Sequence, residues 1–126
     1  MANYADLFTE DILAILFPPS RADDFFEALF GDAEDGSYDI TLRYVDDDGD
    51  AIELELALNQ RPGKCLACNL TYGLPTVFSR HPVIDVPGLA EGVAGVAGRA
   101  AAAWRLGTTR ELSRTLHAIP LVVELD

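Results

Sequence analysis

The sequence predicts one α+β domain spanning residues 1–126. Two N-terminal helices are expected first. An antiparallel sheet of four to five strands follows, a meander plus a C-terminal strand, with one Ala/Gly-rich helix packed on it. Three observations carry this expectation. Apolar residues recur at helical spacing near the N-terminus, alternate with polar residues through 38–58, and alternate again at Leu121, Val123 and Leu125. A repeat near 3.6 residues marks a helix with one buried face, and a repeat of two marks a strand with one buried face.

Asn3 is placed to cap a first helix whose stripe is Tyr4, Leu7, Phe8, Ile12, Ile15 and Leu16. Pro18-Pro19 stops it, because proline lacks the N–H and crowds the preceding turn. Ser20 caps a second helix, with Asp23 at the capping-box position and a stripe of Ala22, Phe25, Phe26, Leu29 and Phe30. Gly31 supplies its exit.

The hairpin is the clearest element. Tyr38, Ile40, Leu42 and Tyr44 alternate with Asp39, Thr41 and Arg43, and Ile52, Leu54, Leu56 and Leu58 alternate with Glu53 and Glu55. A two-residue Asp48-Gly49 turn would set Tyr44 against Glu53 and mismatch every pair. A three-residue loop, Asp47-Asp48-Gly49, pairs 44 with 52, 42 with 54, 40 with 56 and 38 with 58. All those pairs are apolar, and Gly49 takes the left-handed loop position. The polar residues of the hairpin then face water.

A third strand is expected over 64–72 and a short fourth over Thr76 to Ser79. Asp85 to Leu106 reads as a long helix, capped by Asp85, with Pro87 in its first turn and Gly107 at its exit. Thr108 and Glu111 match a capping box, so 109–117 is a short helix or an extended segment. Residues 121–125 form the last strand.

Charge is unevenly distributed in a chain whose net charge is −12. Residues 1–60 carry sixteen Asp and Glu against Arg21 and Arg43, a net of −14, and residues 61–126 carry seven Lys and Arg against five acidic residues, a net of +2. This balance argues against a nucleic-acid backbone and against an anionic membrane surface. It suits cations, basic partners or solubility. The hydrophobic fraction of 49% argues against a disordered chain. No secretion signal is readable, and two cysteines make no disulfide framework, so a cytoplasmic protein is expected.

Four groups of residues are candidates for chemistry or contact. Cys65 and Cys68 have metal or dithiol spacing, with His81 and His117 as further ligands. On a strand, however, residues three apart point to opposite faces, which favours structural cysteines and no cofactor. Asp46-Asp47-Asp48-Gly49-Asp50 with Glu55 partly matches a calcium loop, but Tyr44 stands where the first ligand belongs. Gly92, Gly95 and Gly98 each cost a helix interior about 1 kcal/mol. They leave a strip suited to the sheet or to a dimer, with Arg99 beside it. Arg80 and His81 mark a pocket candidate in the 73–85 connection.

No catalytic set or metal set is readable. The expected function is a non-enzymatic binding or adaptor protein, acting as a homodimer or with a protein partner. The alternatives are a small-molecule binder or enzyme at the 73–85 connection, and an acidic, chaperone-like protein that holds a basic partner.

Overall fold

In the computed structural model, which describes residues 4–18, 20–30, 38–63, 74–82 and 84–126, the alternating runs form a hairpin. Its strands are β1 (Tyr38–Asp47) and β2 (Ala51–Gln60). The register is 40 with 58, 42 with 56 and 44 with 54, then 46 with 53 and 47 with 52. Apolar residues face apolar residues, as parity required, but two positions further along β2 than the three-residue loop would give. The turn itself has two central residues, Gly49 and Asp50, and Asp48 N–H donates to the Ala51 carbonyl at 3.2 Å. Gly49 adopts φ +93°. Such a turn would mismatch the strands, and one extra residue in β1 corrects it. The register shifts between Tyr44 and Asp46, leaving Val45 as a bulge.

Among the described residues the sheet has five strands, ordered β1-β2-β5-β3, with β4 also paired to β5. β3 is Ala101–Leu106, β4 is Arg110–Glu111 and β5 is Leu116–Leu125. All pairings are antiparallel. The meander expectation therefore changes at its third member, because β5 occupies the place beside β2. The segment 64–72 itself lies outside the described residues, as do Asn3, Gly31 and both cysteines.

Helices cover one face of the sheet. They are α1 (Glu10–Leu16), α2 (Ser20–Phe30), α3 (Leu74–Arg80) and α4 (Val86–Val96). Ile40, Leu42, Ile52, Leu54, Leu56, Leu58, Ile119, Leu121 and Val123 form one buried cluster with Phe17, Phe25, Phe26, Phe78, Leu89 and Val93. On the opposite face Asp39 and Arg43 are exposed, whereas Glu55, Ala57 and Ala118 are buried. Water thus reaches that face at β1 and not at its centre.

Two helix expectations and one strand expectation are corrected. α1 starts at Glu10 behind a short 3₁₀ turn, Tyr4–Asp6, and its cap is Thr9, whose hydroxyl accepts from Ile12 N–H at 3.3 Å. The later start turns Ile12, Leu13 and Leu16 inward and leaves Leu7 and Ile15 exposed. Thr76 to Ser79 is helical within α3, where Pro75 sits in the first turn and Phe78 packs edge-on against Phe25 at 5.3 Å.

The long helix is instead a helix and a strand. Gly98, at φ +74°, ends α4 in a Schellman motif. Gly98 N–H bonds the Gly95 carbonyl at 3.0 Å and Arg99 N–H bonds the Ala94 carbonyl at 2.9 Å. Ala101 to Ala103 favour helix intrinsically, but the vacant edge of β5 offers them backbone pairing. Residues 109–117 are extended around a turn: Arg110 pairs with Ala118 and Glu111 with His117.

Pro120 lies inside this central strand, where its missing N–H should break a ladder. Its backbone faces Gly107, just past the end of β3, and its carbonyl accepts from Gly107 N–H at 2.8 Å. The missing donor therefore falls at the gap between β3 and β4. A Cβ on residue 107 would meet the proline ring at 3.2 Å, a tight contact that the glycine avoids.

The two glycines at the end of α4 should respond oppositely to alanine. Gly98→Ala forces a side chain into the left-handed region and is expected to cost about 1 kcal/mol. Gly95 is helical with nothing within 4 Å of an added Cβ, so Gly95→Ala is expected to stabilise by about 0.5 kcal/mol. Urea denaturation of both variants checks the signs.

Candidate functional site

The free edge of β1 is the most distinctive surface among the described residues. Strand geometry decides which backbone groups it offers. Gln60 N–H donates to the Thr115 carbonyl at 2.9 Å, and Leu125 N–H donates to the Asp50 carbonyl at 2.7 Å. The even-numbered residues of β2 therefore point to β5, and its odd-numbered residues point to β1. In the observed register Asp39, Thr41 and Arg43 bond to β2. Tyr38, Ile40, Leu42 and Tyr44 turn their N–H and C=O groups outward, and among the described residues no backbone group pairs with them. Such a row is a template for another strand.

A cavity of about 510 Å³ lies over this edge. Glu10, Leu13 and Ala14 of α1 form one wall, residues 41–44 form the other, and Phe8 and Phe17 flank it. Phe8 stacks on Tyr44 at 5.5 Å. Burial, helped by a hydrogen bond from its hydroxyl to the Asp47 carboxylate, raises the Tyr44 pKa, so the phenol stays neutral. Glu10, Leu13, Ala14 and Phe17 recur at i, i+3, i+4 and i+7, a second stripe beside the core stripe of α1. The sequence contained that signal, but a stripe does not say which neighbour it will face.

The acidic turn uses its carboxylates locally. Asp48 Oδ1 accepts from Asp50 N–H at 3.0 Å and Ala51 N–H at 2.8 Å, and Asp46 Oδ1 accepts from Asp47 N–H at 2.8 Å. Among the described residues no group of three His, Cys, Asp or Glu side chains is arranged to hold a metal ion.

Arg99 is a clamp. It donates to the Gly49 carbonyl at 2.6 Å and the Asp126 carbonyl at 2.9 Å, and lies 3.6 Å from Asp50. It joins the exit of α4 to the hairpin turn and to the end of β5. Gly92 faces α1, where an added Cβ would meet Leu16 at 2.9 Å. Gly95 opens to solvent and Gly98 lies beyond the helix, so the three glycines do not form one strip.

His81 packs edge-on against Phe25 at 4.8 Å, and Arg80 is exposed at the last turn of α3. Neither lines the cavity at β1, nor the smaller ones beside the acidic turn and beside β3. His117 is buried on the core face of β5, opposite Leu58. Arg61 bonds Asp23 at 2.6 Å and Asp39 at 3.0 Å, tying α2 to β1. No helix among the described residues is long and apolar enough to cross a membrane. No protein-family model, curated protein or solved structure matches the chain.

The two backbone bonds to Asp48 hold its pKa below the usual carboxylate value. A depressed pKa contributes stability that is present above the unfolded value and is lost as pH falls through the folded value. Asp48→Asn keeps an acceptor without the titration. Its denaturation midpoint is expected to fall less steeply than wild type as the pH drops below that of an ordinary aspartate.

Proposed function

We propose that this chain is a non-enzymatic binding or adaptor protein that acts by strand addition: a segment of another polypeptide lies along β1. One observation carries this reading. Four successive outward residues of β1 have unpaired backbone groups among the described residues, beneath a mixed apolar and polar cavity walled by α1. Backbone ladders supply affinity in this mode, and alternate side-chain pockets supply selectivity. Exposed carboxylates at Glu10, Asp11, Asp23, Asp24 and Glu27 favour a segment that carries Lys or Arg.

Selection from a displayed library of random peptides tests the reading. Bound peptides are expected to alternate apolar and polar residues, to carry Lys or Arg, and to slow hydrogen exchange at the amides of Ile40, Leu42 and Tyr44. The amides of Asp39, Thr41 and Arg43 already bond to β2 and should change little. Ala14→Trp fills the cavity from an exposed position and is expected to abolish binding at unchanged stability. Peptides that bind without protecting those amides and ignore Ala14→Trp would remove the edge from the function.

A further inference from the structure

The open stretch of β1 is short and has a natural centre. Regular pairing runs from Tyr38 to Tyr44, and the Val45 bulge ends it. A strand laid antiparallel on this edge must match outward residue with outward residue. A second β1 related by a two-fold axis can do so in several registers. Only an axis through Thr41 uses all four outward residues, pairing 38 with 44 and 40 with 42 across the two copies. In that register the solvent face sets Asp39 opposite Arg43 of the second copy, twice, and Thr41 opposite its own counterpart. An axis through Asp39 would oppose two aspartates, and one through Arg43 two arginines. Like charges directly opposite each other oppose pairing.

We propose that the strand laid on β1 is β1 of a second copy of this chain, antiparallel about a two-fold axis at Thr41. The proposal rests on the reading of β1 as a strand-accepting edge and names its occupant. Two further observations support it. Asp39 and Arg43 keep side-chain exposures of 57% and 51% beside their partners Arg61 and Glu55, so each can take a second ion pair. The cavity of about 510 Å³ over residues 41–44 lies where Tyr38 and Ile40 of the second copy would stand, opposite Tyr44 and Leu42. The product is one continuous sheet with all helices on a single face, an isologous interface.

Cross-linking and charge exchange test the register. Thr41 and its counterpart form a non-hydrogen-bonded pair, with Cα atoms about 4.5 Å apart, within the range a disulfide spans. In a chain carrying Cys65→Ser and Cys68→Ser, Thr41→Cys is expected to form a covalent dimer under mild oxidation, and Gly95→Cys is not. Arg43→Asp and Asp39→Arg should each weaken the wild-type dimer about tenfold in sedimentation, since two attractive pairs become repulsive. Mixing the two variants should restore a dimer, because each charge then meets its opposite. Internal strain from either substitution cannot produce that recovery.

A chain that stays monomeric at high concentration overturns the proposal. So does a dimer that cross-links through Gly95→Cys and ignores both charge variants. If the chain is monomeric while displayed peptides still protect the β1 amides, the second copy is refuted and the strand-accepting edge stands. If peptides fail as well, both fall.

Discussion

Every strand of the sheet is tied to β5, directly or through one neighbour. Its odd-numbered residues face β2, and its even-numbered residues face β3 and β4. Ile119, Leu121 and Val123 on its inner face are fully buried, so it fills the middle of the core as well as the middle of the ladder. The proline inside it is tolerated because the missing donor coincides with a gap between two short strands. A donor lost elsewhere in the same strand would leave a buried carbonyl without its partner, at about 1–3 kcal/mol.

The position of β5 decides what is left open. It closes one side of β2, and β1 closes the other, so among the described residues β1 becomes an edge. Bulges and charge are the usual means of discouraging unwanted pairing at such an edge. Val45 provides a bulge, and Asp46 to Asp50 crowd the end with carboxylates. Between these and Tyr38 the described residues offer no such protection on the core side, where α1 stands over the edge and leaves a cavity. Arg61 and Arg99 brace the two ends of the hairpin, one toward α2 and one toward the chain terminus. The hairpin that carries this surface is therefore tied at both ends, and such ties lower the ordering cost of a contact made on it.

Much of the fold was legible in local pattern. The two N-terminal helices, the hairpin and the C-terminal strand follow from periodicity, because a buried face imposes its period on the residues that form it. The candidate site was less legible. Alternation in β1 shows which side chains face the core, but outward backbone groups depend on which strand takes each side of β2. Glu10, Leu13, Ala14 and Phe17 stood in the sequence without an assigned neighbour. The glycines of 92–98 misled for a local reason. Glycine spacing resembles a packing strip, and only the conformation of Gly98 reveals a terminus.

Sequence alone determined the class of the fold, the parity of the hairpin and the acidic character of its first half, since each follows from side chains acting over a few residues. Tertiary structure decided the register, the fate of Ala101 to Leu106 and the identity of the open edge. A two-residue turn and the bulge at Val45 cancel in parity, so no inspection of alternation could separate them from a three-residue loop. Ala101 to Ala103 are strong helix formers, and they became strand because β5 had an edge to satisfy. Backbone hydrogen bonding between residues far apart outweighed local propensity there, and among the described residues the same pairing left Tyr38 to Tyr44 as the strand with a side to spare.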